Sequence, residues 1–539
     1  MLSDSSPHLR VSVQPRFDGA TPDFYRTINL KGRPAEVLAA ELPHWTPANP
    51  VLLDLPTGAG KTSFIYNAVI PAVMAQGKNL LLVSNRIALS LQQKQKILTL
   101  TDNPRLRLLN DEGIRQEEDF GPVRIITYHR LPALVHDRAA IPWLANVAVA
   151  VFDEAHYFAA DALFNSGTDY HLRLACERFC HAVRIYMTAT SWDLLQPLAD
   201  AEQRFYRFRP FAPRPFCREC YRYTRQPDYC NYRLHFFENL NELRPRITAN
   251  QAEKWLIFVD SKERGKKFAN ELGAGAAYVD ADCKGSAHWN LIVTEKKFST
   301  QVLVTTSALD NGVDIVDPDV RHVVVMADNR TALIQMMGRR RLTGGEGVDL
   351  WVCDLPRAVI ANRCRQYEDW LSWYERADQC HRPEDHQALA GQLWRENDLA
   401  LHTLFRLRKG RVYPNELARH VLLRRVLFFQ RILNGSTTFR REVQSWLGID
   451  PDAVGAKAEL FAFYRENGGR LLSEGQQQNL RTLVVQCYAE AGFKESQPSR
   501  KELLQARALT NRLREMDLPF SIETRDSAWI LVREVNANA

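Results

Sequence analysis

The stretch Val51-Leu-Leu-Asp-Leu-Pro-Thr-Gly-Ala-Gly-Lys-Thr62 is an apolar run that passes through two glycines into a helical pattern beginning near Ser63. Gly58 and Gly60 permit a tight turn whose backbone N–H groups point at an anion, and the N-terminus of the following helix adds positive potential. In such a loop Lys61 reaches the β- and γ-phosphates of a nucleoside triphosphate, and Thr62 holds Mg²⁺ through its hydroxyl. The predicted nucleotide-binding residues are Pro56, Thr57, Gly58, Ala59, Gly60, Lys61 and Thr62.

Short apolar runs alternate with helical patterns on the C-terminal side of this loop. Because the runs are almost continuously apolar, they are typical of parallel strands buried on both faces of a sheet. One set of strands is predicted at 51–55, 79–84, 123–127, 145–152 and 183–187, and a second set at 254–259, 301–305, 322–326 and 349–352. The fold class is therefore α/β, with two tandem parallel-sheet lobes. Beyond residue 356 helical patterns dominate, as at 415–433.

Changes in pattern along the chain predict five parts. They are an N-terminal leader (1–30), a first lobe (31–205), a connection rich in Arg, Tyr and Pro (206–250), a second lobe (251–355) and a mainly helical, basic C-terminal region (356–539). The chain ends with a helical pattern at 501–516 and two strand-like runs at 520–523 and 529–535. A simple closing hairpin is preferred there over a fragment of a winged helix.

The composition is 45% hydrophobic and 25% charged, with a formal net charge of +7, which favours an acidic partner such as nucleic acid. No membrane-length apolar run and no signal-peptide pattern is visible, so we expect a cytoplasmic protein without membrane contact. The ten cysteines are scattered, as is typical of reduced thiols. Cys217, Cys220 and Cys230 come closest to a metal-binding pattern, but ordinary thiols are preferred over zinc because a fourth ligand is not obvious.

One segment of the C-terminal region, 405–441, carries ten Lys or Arg residues against the single acid Glu416. Contact with nucleic acid is favoured for it. The alternative is an amphipathic helix whose arginines only line its solvent face.

Hydrolysis of a triphosphate needs carboxylates at a neighbouring strand end to hold Mg²⁺ and to activate water. The run Val149-Ala-Val-Phe-Asp-Glu-Ala-His156 supplies them at the edge where open α/β sheets bind ligands. Asp153 is predicted to be the metal-side carboxylate, and Glu154 the general base.

With Asp-Glu-Ala-His at 153–156, the chain resembles the DEAD/DEAH-box helicases of superfamily 2. The resemblance covers about residues 50–345 and implies two RecA-like lobes that bind ATP and Mg²⁺. It implies that Thr188, Thr190 and His156 couple the ATP site to nucleic acid. It further implies that Gln335, Arg339 and Arg341 complete the ATP site from the second lobe, with Gly312 and Asp314 beside them. The residues that it implies for nucleic-acid contact are Asn85, Arg86, Thr127, His129, Ser261, Thr305 and Thr306.

Two departures from the family pattern leave questions open. The second arginine usually stands seven residues after the glutamine, where this chain has Leu342, so the identity of the arginine that reaches the γ-phosphate is open. The upstream glutamine that reads adenine is missing, because the chain has no glutamine between Gln14 and Gln76. Adenine selectivity is therefore also open.

The predicted function is an ATP-dependent helicase that translocates and separates strands, with DNA favoured over RNA. One alternative is a duplex translocase or remodeller of a restriction or phage-defence system, whose cleavage would come from a nuclease partner. An alternative of another class is a nucleic-acid-binding scaffold without catalysis, against which the set of Lys61, Asp153 and Glu154 argues.

Overall fold

The computed structural model describes residues 21–31, 34–84, 91–101, 103–104, 106–208, 217, 219–283, 285–306, 313–342, 346–396, 399–449, 456–490, 506–516, 518–525 and 528–533. Two parallel sheets dominate this part of the chain, and each is flanked by helices. This arrangement confirms the two predicted RecA-like lobes.

The sheet of the first lobe has seven strands in the order β1-β7-β2-β6-β5-β3-β4, all of them parallel. They are β1 (Tyr25–Asn29), β2 (Val51–Asp54), β3 (Asn79–Ser84), β4 (Val123–Thr127), β5 (Val147–Phe152), β6 (Val183–Thr188) and β7 (Cys220–Thr224). Alternate residues of the central strands enter two different cores: Ala150 and Phe152 pack on one face, and Val149 and Val151 on the other. Burial on both faces explains their continuous apolar pattern.

Helices cover both faces of this sheet. They are α1 (Pro34–Glu41), α2 (Lys61–Phe64), α3 (Ile70–Ala75), α4 (Leu91–Thr101), α5 (Asp111–Gln116), α6 (Leu131–His136), α7 (Ile141–Ala145), α8 (Tyr157–Ala160), α9 (Thr168–Arg178) and α10 (Leu195–Phe208). A π-helical segment, Ile65–Val69, joins α2 to α3 just before Pro71. Because proline has no N–H to donate to the preceding turn, the helix widens there instead of breaking.

The sheet of the second lobe has six parallel strands in the order β10-β11-β9-β12-β13-β8. They are β8 (Tyr232–Phe237), β9 (Lys254–Phe258), β10 (Ala276–Val279), β11 (Val302–Thr305), β12 (Val320–Val325) and β13 (Val348–Cys353). The helices of this lobe are α11 (Arg244–Ala249), α12 (Lys262–Leu272), α13 (Ala287–Glu295) and α14 (Arg330–Met337).

The boundaries between the predicted parts differ from those of the sheets. The predicted leader contains β1, which pairs with β7 at the edge of the first sheet. The predicted connection contains β7 and β8, so it adds one strand to each lobe. These strands are only partly buried, and their polar, aromatic composition lacks the continuous apolar pattern of the central strands.

The C-terminal region is mainly helical, with two small antiparallel sheets. Its helices are α15 (Arg357–Asp378), α16 (Pro383–Arg395), α17 (Leu399–Leu404), α18 (Glu416–Leu433), α19 (Phe439–Trp446), α20 (Ala456–Asn467), α21 (Glu474–Glu490) and α22 (Ala506–Glu515). Its strands are β14 (Phe405–Arg408), β15 (Arg411–Pro414), β16 (Leu471–Leu472), β17 (Phe520–Arg525) and β18 (Ala528–Arg533).

The last unit has its own hydrophobic core and more structure than a closing hairpin. Strand β18 pairs with both β17 and the short β16, and helices α20, α21 and α22 pack on this sheet. The described elements therefore follow the order helix, strand, helix, helix, strand, strand, with the first strand beside the last. This is the connectivity of a winged helix, so the preference for a simple hairpin was wrong.

The basic segment 405–441 holds the C-terminal helices against the lobes. Six of its ten cations form ion pairs with carboxylates: Arg406, Arg419, Arg424, Arg425, Arg431 and Arg440. Arg424 reaches Asp193 of the first lobe at 3.7 Å, and Arg425 reaches Asp328 of the second lobe at 3.1 Å. The cations of α18 therefore pair with carboxylates of the protein itself, and contact of the segment with nucleic acid stays a prediction.

Asn415 anchors the start of α18. Its side-chain oxygen accepts hydrogen bonds from the N–H groups of Leu417 and Ala418, which caps the helix. Its amide group donates to the Ala162 and Asn165 carbonyls and to the Thr168 hydroxyl in the first lobe. Since Asn415 is fully buried, one side chain both begins the helix and fixes its position.

Candidate active site

The predicted phosphate loop joins β2 to α2 with the backbone that anion binding requires. Gly58 and Gly60 both have φ of +84°, where a side chain would be strained, and the space beside each is open to 4 Å. Gly60 is the N-cap of α2, and Lys61 and Thr62 are the first two residues of that helix. The N–H groups at this helix start therefore face an open concavity, which fits phosphate.

Lys61 lies folded back along the loop. Its Nζ donates to the carbonyls of Leu55 at 2.6 Å and Pro56 at 3.2 Å. Burial lowers the pKa of Lys61, an effect that nearby Glu154 and Asp153 oppose and Arg341 reinforces. The ammonium group is thus partly desolvated and donates to neutral carbonyls. A phosphate would give it a charged acceptor and would stabilise it strongly.

The two carboxylates follow β5 at the carboxyl edge of the sheet. The Asp153 N–H donates to the Val83 carbonyl at 2.8 Å, and the Tyr128 hydroxyl donates to the Asp153 carbonyl at 2.9 Å. Glu154 has φ of +51°, a left-handed conformation that is costly for a residue with a Cβ. Strain of this kind concentrates at functional sites, where the surrounding contacts over-determine the geometry. The Thr62 hydroxyl and Asp153 carboxylate are oxygen ligands of the type that Mg²⁺ prefers.

A chain of polar contacts runs from the Asp-Glu-Ala-His box into the second lobe. His156 Nδ1 lies 3.2 Å from the Thr188 hydroxyl, which accepts from the Thr190 N–H at 2.9 Å. Gln335 of α14 donates to the Thr190 hydroxyl at 3.2 Å, and Arg339 donates to the Gln335 side-chain oxygen at 3.1 Å. The predicted coupling residues of the first lobe are thus bonded to the predicted arginine helix of the second.

The three consecutive arginines after α14 have different environments. Arg339 lies 3.9 Å and Arg341 2.9 Å from Asp314. Arg340 instead points into the second lobe, where it pairs with Glu346 and donates to the Val320 carbonyl. An arginine held in that interior is not available to a phosphate, which leaves Arg339 and Arg341 beside the cleft.

The arginine helix lies directly opposite the phosphate loop. A Cβ added at Gly338 would stand 3.8 Å from the Thr57 hydroxyl oxygen. Burial is the main cause of the lowered pKa of Lys61, and the charge of Arg341 adds to the lowering. The two halves of the predicted site therefore face each other across a narrow cleft.

Sequence reasoning missed several polar residues that support the site. Asp54, the last residue of β2, accepts from the Ser191 hydroxyl at 2.7 Å and from Arg222 Nη2 at 2.6 Å. The position of Asp54 next to the loop was the only available signal, since both partners are distant in sequence.

Additional missed contacts join the lobes. The Trp192 indole N–H donates to the Thr331 hydroxyl at 2.9 Å, and the Arg330 guanidinium stacks over the Trp192 ring at 3.9 Å. Thr331 in turn donates to Asp193 at 3.0 Å. No motif marked these residues.

The predicted nucleic-acid residues occupy strand ends with different exposure. Thr127 ends β4 and is half-buried, while His129 is exposed in the turn that follows. The exposed Ser261 caps α12, whereas Thr305 is fully buried and donates to the carbonyl of the half-buried Thr306. The Thr305 hydroxyl is therefore bound to the backbone of the next residue, and its predicted contact with nucleic acid stays a prediction. Asn85, Arg86 and Gly312 lie outside the described residues.

The three cysteines of the weak metal pattern are not gathered into a site. Cys217 and Cys220 are buried in a core of the first lobe, whereas Cys230 packs beside the core of the C-terminal unit. Burial raises the pKa of all three thiols, which disfavours the thiolate that a metal requires. Among the described residues no group of three or more His, Cys, Asp and Glu side chains is placed to hold a metal ion. None of the helices in that same part of the chain is long and apolar enough to cross a membrane.

Two family models match the chain. Residues 29–192 match the family described as "Type III restriction enzyme, res subunit", and residues 237–341 match the "Helicase conserved C-terminal domain". No curated protein matches the chain by sequence.

Solved structures of helicases resemble the chain at low identity. The Mycobacterium smegmatis helicase Lhr, bound to ssDNA and AMP-PNP, is 19% identical with a TM-score of 0.41 over 63% of this chain, which spans only 48% of Lhr. The S. cerevisiae protein Dbp5, bound to RNA and ADP BeF3, is 18% identical with a TM-score of 0.38, covering 56% of this chain and 78% of that one. The DEAD-box helicase Mss116, bound to ssRNA and UDP-BeF, is 14% identical with a TM-score of 0.44, covering 79% and 98% of the two chains.

The two family models fall separately on the two lobes. The first contains the phosphate loop and the Asp-Glu-Ala-His box, and the second ends at Arg341 in the arginine cluster. Because these elements occur in the order of the family and meet at one cleft, the two matched segments make the chain similar to the superfamily 2 helicases, a family of ATP-hydrolysing enzymes.

Proposed function

We propose that this chain is a nucleic-acid-dependent ATPase that couples ATP hydrolysis to translocation along DNA and to strand separation, in the cytoplasm. The observation that carries the proposal is the buried polar path from His156 through Thr190 and Gln335 to Arg339. It connects the hydrolytic carboxylates of one lobe with the arginines of the other. A change at the γ-phosphate is therefore transmitted to the packing of the lobes.

In the proposed chemistry each half of the cleft has its own task. Lys61 binds the β- and γ-phosphates, Glu154 accepts a proton from the attacking water, and Arg339 and Arg341 stabilise the charge that develops on the γ-phosphoryl group. Mg²⁺, held by Thr62 and Asp153, would neutralise the phosphate oxygens. Because the arginines come from the second lobe, catalysis requires closure of the cleft.

Nucleic acid would bind across the carboxyl ends of both sheets. His129 and Ser261 are exposed there, after β4 and β9 respectively. Contacts from hydroxyls and backbone N–H groups to phosphates do not depend on base sequence, which suits a motor that moves along a strand. We also propose the division into lobes 31–205 and 251–355, extended by the added strands, with 356–539 as the accessory region.

The test is ATP hydrolysis by the purified chain with single- and double-stranded DNA and RNA, each at several salt concentrations. We expect stimulation by DNA that weakens steeply as salt rises, because backbone contacts release counterions. Lys61→Ala is the matched control and should abolish the stimulated rate. Absence of stimulation by every nucleic acid, with Lys61→Ala equal to the unmodified chain, would establish a non-catalytic scaffold instead.

A second candidate is an ATP-driven duplex translocase of a restriction or phage-defence system. The match of residues 29–192 to a restriction-enzyme subunit family favours it. Such a motor would work with a nuclease partner. Displacement of the third strand of a triplex, without separation of a partly single-stranded duplex, would select this candidate over the helicase.

A further inference from the structure

The hairpin formed by β14 and β15 presents a basic face to solvent. Its register pairs Arg406 with Tyr413 and Arg408 with Arg411, so these four side chains lie on one face. Lys409 and Gly410 form the tip, with φ of +50° and +73°. Arg408, Lys409 and Arg411 are exposed.

The charge of this hairpin is not neutralised within its own sequence. Residues 405–414 contain four cations and no acid. Arg406, at the base, pairs with Asp169 at 2.9 Å, whereas the cations nearer the tip are exposed to solvent. The tip therefore contrasts with α18, where Arg419, Arg424 and Arg425 all form ion pairs.

Large side chains with apolar surface are also exposed on the hairpin. Tyr413, on the same face as the arginines, is 41% exposed, and Leu407, on the opposite face, is 43% exposed. If the hairpin carried only cations, their role could be to prevent its edge strands from pairing with other chains. An exposed tyrosine between arginines adds a flat surface on which a base can stack.

The base of the hairpin is attached to the first lobe beside a predicted nucleic-acid turn. The hydroxyl of Thr403 donates to the Leu163 carbonyl at 2.7 Å, and Arg406 is fixed to α9 through Asp169. Further along α9, the ring of His171 lies 5.9 Å from that of His129 in the turn after β4. The hairpin thus projects from the part of the lobe that carries this turn.

We propose that the β14–β15 hairpin binds the nucleic-acid strand that lies on the first lobe, with Arg408, Lys409 and Arg411 on phosphates and Tyr413 against a base. The inference rests on the proposed function and adds a contact site that lies outside both lobes. Guanidinium groups suit this role because they pair with phosphate in fixed geometry and also stack on aromatic and base planes. Attachment at its base holds the hairpin in place, so little entropy is lost when the strand arrives.

The first test removes the charge of the tip in the full chain. The variant combines Arg408→Gln, Lys409→Asn and Arg411→Gln, with asparagine chosen because it tolerates the positive φ at 409. The control combines Arg138→Gln, Arg178→Gln and Lys457→Gln, three exposed cations on other elements. Binding of fluorescein-labelled single-stranded DNA is measured by anisotropy across a salt series.

We expect the hairpin variant to bind more weakly and with less salt dependence. The loss of three phosphate contacts reduces the slope of log K against log salt by about 2. If the electrostatic contribution vanishes near 1 M salt, this change in slope corresponds to binding that is about 50-fold weaker at 0.15 M salt. The control should keep the slope of the unmodified chain. Equal binding by hairpin variant and control would overturn the inference and leave the hairpin as a surface for another partner, such as an acidic protein.

The second test separates stacking from charge. Tyr413→Leu keeps an apolar side chain but removes the ring, and should weaken binding of a normal strand roughly tenfold. It should not change binding of an abasic strand of the same length, because that strand offers no base. Equal losses on both strands, or none on either, would overturn the role of Tyr413.

These results are distinguishable from failure of the proposed function. If nucleic acid stimulates ATP hydrolysis by the unmodified chain but the hairpin variants match their controls, only the hairpin inference fails. If nucleic acid neither binds nor stimulates the unmodified chain, both fail. ATP hydrolysis without nucleic acid should be unchanged in the hairpin variants, because the substituted residues belong to neither the phosphate loop, the Asp-Glu-Ala-His box nor the arginine cluster.

Discussion

The hydrogen bond from Gln335 to the Thr190 hydroxyl is the most direct polar link between the ATP-site elements of the two lobes. Its donor and acceptor stand 3.2 Å apart, and the two residues are only 6% and 1% exposed. Thr190→Val keeps the shape of the side chain and removes the oxygen. The Gln335 amide then stays buried without this acceptor, which costs about 1–3 kcal/mol.

That cost falls on the closed arrangement of the lobes, because open lobes would expose the amide to water. A loss of 1–3 kcal/mol corresponds to a decrease of about 5- to 150-fold in the closed population and hence in the stimulated rate of ATP hydrolysis. Binding of a fluorescent ATP analogue to the phosphate loop should change little, because Lys61 keeps its contacts with Leu55 and Pro56. The stimulated rate is measured as steady-state ATP hydrolysis at saturating nucleic acid. The affinity for the analogue is measured by titration.

Matched variants show whether the bond itself is responsible. Thr190→Ser retains the hydroxyl and should keep most of the stimulated rate. Gln335→Ala removes the other partner, and the double variant should be less impaired than the two single losses multiplied, because both remove the same interaction. If Thr190→Val hydrolyses ATP as fast as Thr190→Ser, the coupling role of this bond is refuted.

Three further outcomes are expected. Glu154→Gln should bind ATP and nucleic acid while hydrolysis falls by about 10²- to 10⁴-fold in single-turnover assays, and an unchanged rate would exclude Glu154 as the base. Glu202→Gln should destabilise the first lobe by about 3–5 kcal/mol in thermal unfolding. The reason is that Arg184, which is buried and 2.8 Å away, loses its counter-charge. The double variant Arg184→Met with Glu202→Met should recover most of the lost stability. Burial lowers the pKa of His171 and of His420 from 6.5 to about 4, so their neutral forms add stability that is complete above pH 6.5 and lost as pH falls toward 4. Replacing both by Gln should make the midpoint temperature of thermal unfolding depend less on pH over that interval. An unchanged dependence on pH would contradict this assignment.

The central strands and the main motifs were predictable because their signals are local. Each buried parallel strand is a continuous apolar run, and the phosphate loop is one contiguous stretch whose glycines indicate its turn. The edge strands β1 and β8, and β7 next to β1, were missed for the opposite reason. Their half-exposed positions carry arginine and tyrosine, so their apolar pattern is weak.

The basic segment shows that a sequence does not reveal which of its cations form ion pairs. Ten cations against one acid suggested a continuous nucleic-acid surface, yet six of them pair with carboxylates, several of which are distant in the chain. Whether an arginine meets a carboxylate or solvent depends on packing between elements. In the described part of the segment, exposed cations without a carboxylate contact are found at the hairpin tip, whereas the exposed Arg431 and Arg440 form ion pairs.

The sequence by itself determined the two α/β lobes, the phosphate loop and the Asp-Glu-Ala-His box, because each depends on neighbouring residues and on the period of a strand or helix. Only the tertiary structure decided that Gly338 faces Thr57, that Arg340 turns inward while Arg339 and Arg341 stay beside the cleft, and that Asn415 anchors α18. These features join residues far apart in the chain. Their geometry follows from how whole elements pack, which no local pattern encodes.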